Sequence, residues 1–135
     1  MGRRFAIAKD TDEEVLDWGR LRWLSHPPST DAEHLTVIDV TLLPGMGHDF
    51  HKHPDQEEVI YVVSGTVEQW VDRDMRILGP GDSAHIPADM VHASFNVGDG
   101  EAKVAAILGP CVGDEGYELV DVATEAPWNT LRDQG

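Results

Sequence analysis

His51 and His53 stand two positions apart in the run Gly45-Met46-Gly47-His48-Asp49-Phe50-His51-Lys52-His53-Pro54-Asp55-Gln56-Glu57-Glu58. Side chains on an extended backbone alternate between faces, so both imidazoles point to one side, as neighbouring ligands of a metal ion must. Glu58 lies five positions beyond His53 and would face away on an uninterrupted strand. Pro54-Asp55 is a turn signal, so the spacing predicts a bend that returns the Glu58 carboxylate towards the pair. His92 is a fourth candidate, remote in sequence but within reach once a later strand folds against the first cluster. Three imidazoles and a carboxylate suit Fe, Mn, Ni, Co, Cu or Zn to different degrees, and donor type alone does not choose among them. The competing reading is a polar strand edge that holds no ion, but such an edge does not require this joint spacing.

Nearby polar residues are candidates for lesser roles. Glu57 competes with Glu58 for the inward position, since strand alternation puts the two on opposite faces without choosing between them. Glu57 and His48 are the candidate catalytic residues, each able to move a proton beside the ion. Gln69 and Ser94 are candidate substrate contacts, and Asn96 is a candidate loop brace. His26, His34 and His85 belong to no comparable constellation and are expected to be structural or exposed. Gly45, Gly47, Gly65, Gly79 and Gly81 sit among turn signals, without the strand-to-helix context of a phosphate-binding loop.

The elements that must position these residues read mainly as strands. Thr11 and Glu14 have capping-box spacing, which predicts a short N-terminal helix stopped near Gly19. Leu35–Leu43 is an apolar run that ends at Pro44-Gly45, and Glu58–Val63 and Thr66–Val71 flank Ser64-Gly65 as a candidate hairpin. Turns at Asp72-Arg73-Asp74 and Gly79-Pro80-Gly81-Asp82 precede strand candidates at Ser83–Ile86, Ala93–Val97 and Val104–Leu108. Alternation over Tyr117–Val122 predicts one more strand, partly exposed. Trp128 is expected to pack against the body of the protein. The organisation expected is an N-terminal extension with initial strands over 1–34, a β-barrel over 35–122 and a tail over 123–135.

With these residues in place, the chain resembles the cupin superfamily, in particular its small single-barrel, RmlC-like members. The pattern G-x5-H-x-H-x4-E-x6-G is matched in full by Gly45, His51, His53, Glu58 and Gly65. A second pattern, G-x5-P-x-G-x2-H-x3-N, is matched by Gly81, Pro87, His92 and Asn96, with Asp89 in place of its middle glycine. Asp tolerates turn and left-handed backbone better than most residues. The resemblance spans Val37 to Leu108 and implies an all-β fold, a double-stranded β-helix or jelly-roll barrel. It also implies that His51, His53, Glu58 and His92 converge on one divalent transition metal with positions open to water or a small polar ligand.

Three functions are compatible with that resemblance. The leading expectation is an oxidoreductase of the cupin dioxygenase type, with Fe as the favoured metal and a small oxygen-bearing substrate. The first alternative is a metal-dependent isomerase or lyase acting on a sugar acid or related polar metabolite. The second is a small-molecule-binding cupin without catalysis. A homodimer is expected, because exposed sheet edges favour pairing and Trp18, Trp23 and Trp128 lie outside the central motif.

Bulk composition narrows the partners. The 135-residue chain has 41% apolar residues, enough for a core, and 25 Asp plus Glu against 10 Lys plus Arg, for a formal charge of −15. That field repels nucleic acid and disfavours highly anionic substrates. No stretch has the length of a transmembrane helix, and Met1–Lys9 is too short and too soon charged for a complete signal peptide. The single Cys111 rules out an internal disulfide and a Cys-x-x-Cys metal motif. Cytoplasmic residence, with no membrane partner, is the expectation.

Overall fold

Burial alternates along the strand Ala102–Gly109: Ala102, Val104, Ala106 and Leu108 face the core while the residues between them face outward. A period of two with one apolar face is what packs a sheet against a second sheet. The computed structural model describes residues 3–134, and it has two such sheets. In chain order the strands are β1 (Glu13–Leu16), β2 (Gly19–Ser25), β3 (Thr36–Leu42), β4 (Gly47–Lys52), β5 (Glu57–Ser64), β6 (Val67–Val71), β7 (Asp74–Leu78), β8 (Ser83–Ile86), β9 (His92–Asn96), β10 (Ala102–Gly109) and β11 (Val120–Asp121). One sheet has the order β1-β2-β3-β10-β5-β8 and the other β11-β4-β9-β6-β7, with antiparallel pairing throughout. This is the predominantly β, jelly-roll architecture expected from the sequence.

The main core lies between the sheets and includes Leu21, Ile38, Leu42, Ile60, Val62 and Leu108. Phe50, Ala93, Phe95 and Val122 form a second cluster on the far side of the five-stranded sheet. The C-terminal segment covers it: Trp128 packs on Phe50 at 5.5 Å between ring centroids, and Arg132 lies 3.7 Å over the Phe95 ring. Trp128 is therefore packed, as expected.

Several local expectations are corrected. The N-terminal helical turn is Ala8–Asp10, and Thr11 ends it rather than starting one, its Oγ1 donating back to the Ile7 carbonyl at 2.7 Å. Glu13 and Glu14 belong to β1, opposite Arg22 and Leu21 of β2, and the Arg22–Glu13 ion pair rewards that pairing. Ser64-Gly65 is not a hairpin, because β5 pairs with β10 and β8 while β6 pairs with β7 and β9, so the chain crosses between sheets there. Gly65 makes the crossing possible: its φ is +88°, and a Cβ would stand 2.7 Å from Ala102. The initial strands expected within 1–34 had no assigned bounds, and β1 and β2 lie there; β7 was not anticipated. The strand expected at Tyr117–Val122 is reduced to Val120–Asp121, because side chains of neighbouring elements capture the backbone before it.

Candidate metal centre

His51 and His92 are directly opposite one another on β4 and β9, and His53 follows β4 by one residue. All three are buried, and their ligand nitrogens lie within 4.8 Å of one another. The bend after His53 is present as foreseen, closed by the Gln56 amide donating to the His53 carbonyl at 3.2 Å. Glu58 then enters the same space from β5, 4% exposed, with Oε1 2.9 Å from His92 Nε2 and 3.2 Å from His53 Nε2.

Every one of the three imidazoles is oriented from behind. Nδ1 faces the carbonyl oxygen of Asp49 for His51 at 2.6 Å, of Glu118 for His53 at 2.6 Å, and of Met90 for His92 at 3.0 Å. A carbonyl can only accept, so each Nδ1 carries the proton and donates it, which leaves Nε2 as a lone pair in the neutral ring. His53 Nε2, His92 Nε2 and Glu58 Oε1 are buried without a hydrogen-bond partner. Acceptors left facing one another in a dry interior are costly, and a shared cation is what satisfies all of them. The donor set fits a transition metal, and the cluster can chelate one divalent ion.

Burial holds His51 well below the usual imidazole pKa, with His48, His92 and His53 adding to the effect. Burial also raises the cost of charging Glu58, but the imidazoles of His53 and His92 outweigh it and hold the carboxyl down at about 2. His53 is shifted upward: burial works against its charged form, but the Glu58 carboxylate outweighs that penalty. A proton between His53 and Glu58 thus competes with a metal for the same lone pairs.

An unforeseen bulge brings in His48. Residues three apart on a regular strand face opposite ways, but the β4–β9 register shifts between His48 and His51. The extra residue turns His48 inward, where it stacks on His51 at 3.6 Å and on Trp18 at 4.7 Å between centroids. Burial pushes its pKa down to about 4. His48, Glu58, His51, His92 and Ser94 line a cavity of about 30 Å3, whose other walls are mostly aliphatic, with Tyr117 at one side.

The remaining candidates separate clearly. Glu57 is not at the centre: it points outward from β5, exposed, 2.6 Å from His85 Nε2, as strand alternation requires of the neighbour of an inward Glu58. Ser94 lines the cavity, and its hydroxyl donates to Gln69 Oε1 at 2.6 Å. Gln69 is buried but does not line it, since its Nε2 donates to the Trp70 carbonyl and its oxygen holds Ser94. Asn96 is a brace, donating to the carbonyls of Leu42 and Gly100 and accepting from Gly98 N. Asp89 adopts the left-handed conformation at φ 66°, and its amide donates to the His53 carbonyl. Gln56 was missed by sequence reasoning. It is 1% exposed, and its side chain binds the carbonyls of Pro110 and Gly116 and the amide of Glu118, fixing the carbonyl that orients His53. A glutamine inside the first motif, beside a turn, was the available signal.

Comparison with known proteins agrees with this fold. Residues 38–108 match the family model described as Cupin domain. The chain is 36% identical over 127 residues to "Polyketide synthase CurC" of Streptomyces cyaneus, covering 94% of this chain and 81% of that protein. Among solved structures it is similar to KdgF from Halomonas sp., with a TM-score of 0.73 at 21% identity, covering 83% of this chain and 97% of that one. An oxalate decarboxylase of Lactobacillus farciminis gives a TM-score of 0.73 at 19% identity, covering 93% of this chain and 38% of that one. At those identities the two structures speak to fold alone. Among the described residues no helix is long and apolar enough to cross a membrane. The matched family model, the first curated relative and the jelly-roll fold together place the chain in the cupin family.

Proposed function

We propose that this cupin is a metal-dependent enzyme of the isomerase or lyase class, acting without O2 on a small oxygen-bearing metabolite. His51, His53 and His92 would hold the ion through Nε2, and Glu58 would complete the donor set with Oε1. The ion, when bound, supplies a Lewis acid that polarises a carbonyl or carboxylate oxygen. The observation that carries the reading is His48. It is a neutral imidazole at physiological pH, turned by the bulge into the metal-side cavity, where it is placed to take or return a proton. Ser94 offers a hydroxyl oxygen in the same cavity, whose other walls are mostly aliphatic.

Proton movement beside a polarised oxygen is the need of an isomerisation or a carbon–carbon cleavage more than of O2 activation. The name of one curated relative, a polyketide synthase, denotes chemistry at carbonyl carbon, which supports the same preference over the dioxygenase expectation. The test is anaerobic incubation of the protein, loaded in turn with Fe, Mn, Ni, Co and Zn, with uncharged α-hydroxy ketones in D2O, followed by NMR. Deuterium entry next to the carbonyl is expected, and His48→Ala should slow it by about 100-fold while retaining the metal. Turnover that requires O2, or that survives His48→Ala unchanged, would overturn the proposal.

A further inference from the structure

At about 30 Å3 the cavity beside the histidines holds a water or two, so a metabolite of more than a few atoms must extend beyond it. A cleft of about 680 Å3 lies between the N-terminal segment and β2. Tyr117 is the one residue, among those described, that lines both spaces. Its ring meets Trp23 edge-on at 5.3 Å between centroids and lies 5.1 Å from the His53 ring. The backbone on either side is tied down: the Gly116 carbonyl accepts from Thr36 Oγ1 and Gln56 Nε2, and the Glu118 amide donates to Gln56 Oε1. No hydrogen bond among the described residues holds the Tyr117 hydroxyl. Its ring is held by packing against Trp23 and His53, on a loop whose backbone is tied down.

We propose that the cleft is the outer half of the substrate site, that Tyr117 is the partition between the halves, and that the occupant is a flat, uncharged, carbonyl-bearing molecule. This rests on the reading of the metal centre given above. Trp23 and His26 stack at 5.0 Å and 26°, which presents a flat aromatic wall. Asp10, Asp12, Glu14 and Glu115 line the cleft against the single cation Arg3, so it repels carboxylates. The inner cavity continues that selection, since its lining contains no Lys or Arg and is mostly aliphatic. A conjugated ring system lies against the Trp23 wall while its carbonyl oxygen passes Tyr117 to the ion.

The full chain loaded with Co(II) tests this by visible absorption, using pentane-2,4-dione, 1-phenylbutane-1,3-dione and the 4-carboxyphenyl analogue of the latter as probes. The phenyl dione is expected to bind at least about 10-fold more tightly than pentane-2,4-dione, from the ring burial and stacking the cleft provides. The carboxyphenyl probe should lose that gain, and Asp12→Lys, at an exposed position, should recover about threefold of it. Tyr117→Ala should accelerate association of the phenyl dione, while Tyr117→Phe, which keeps the ring, should associate at the wild-type rate. Equal affinity for the two uncharged diones, or an association rate indifferent to Tyr117→Ala in a folded variant, overturns the proposal. If Co(II) itself is not taken up, the reading of the metal centre falls separately. The cleft is then tested by quenching of tryptophan fluorescence by the phenyl dione in metal-free protein: quenching lost in Trp23→Phe supports it, and absence of quenching overturns it.

Discussion

Asn96 and Glu58 are almost equally hidden from solvent, at 1% and 4% exposure, yet their polar atoms are treated in opposite ways. The Asn96 amide has three backbone partners and no donor or acceptor left over that matters to folding. Glu58 Oε1 has no hydrogen bond and faces imidazole lone pairs in an equally dry space. A buried polar group that is satisfied holds the fold, while one that is left short marks a place where something else binds. Asn96 shares β9 with His92, but its partners are the backbone of Leu42, Gly98 and Gly100, none of them a residue of the metal centre, so the two can be perturbed separately.

The largest effect should come from the short-changed region. His92→Ala is expected to lower affinity for Co(II) or Zn(II) by at least about 100-fold, read by competition with a chelator, in a protein whose circular dichroism is unchanged. Asn96→Ala should do the reverse. It strands two carbonyls and an amide, costing about 3 kcal/mol in urea unfolding, while metal affinity of the folded fraction stays at the wild-type value. An equal loss of affinity in both variants would erase the distinction between the regions.

Gln56 sharpens the comparison because it belongs to both. Gln56→Leu frees the carbonyls of Pro110 and Gly116 and the amide of Glu118, and it loosens the carbonyl that orients His53. A stability loss of about 2 kcal/mol in urea and a metal affinity lower by about 10-fold are expected together.

The smallest effect concerns the C-terminal segment, which lies far from the ion. Arg132 pairs with Glu68 at 2.6 Å and covers Phe95. Partial burial raises the Glu68 pKa, but Arg132 and the Trp70 indole outweigh it, so the folded-state value is lowered. A lowered carboxylate stabilises fully above its unfolded-state pKa and loses that contribution as pH falls through the folded-state value. Arg132→Ala should therefore cost about 1 kcal/mol at neutral pH, and its deficit relative to wild type should narrow on acidification. Urea midpoints measured at several pH values check it, and metal affinity should not respond.

Much of this centre was legible in the sequence because its spacing is local. His51 and His53 share a face by strand alternation alone, the Pro54-Asp55 turn returns Glu58, and the motif spacing favours Glu58 over its neighbour Glu57. What was hidden depends on long-range pairing. The bulge that turns His48 inward is a property of β4 against β9, not of either strand by itself. The crossing at Gly65 looks like a hairpin until the partners of β5 and β6 are known. Strand β1 begins with two glutamates and reads as a helix start, because its reward is ion pairs to β2 rather than apolar burial. Tyr117–Leu119 alternates like a strand, but Gln56 and His53 engage the adjacent backbone first.

The most direct test is titration of the metal-free chain with Zn(II), followed through the 15N resonances of its histidines. The account predicts that His51, His53 and His92 shift together at Nε2, with saturation at one equivalent of ion per chain, while their Nδ1 atoms remain protonated. Folded protein in which Nε2 of any of the three stays unshifted at saturation would contradict it.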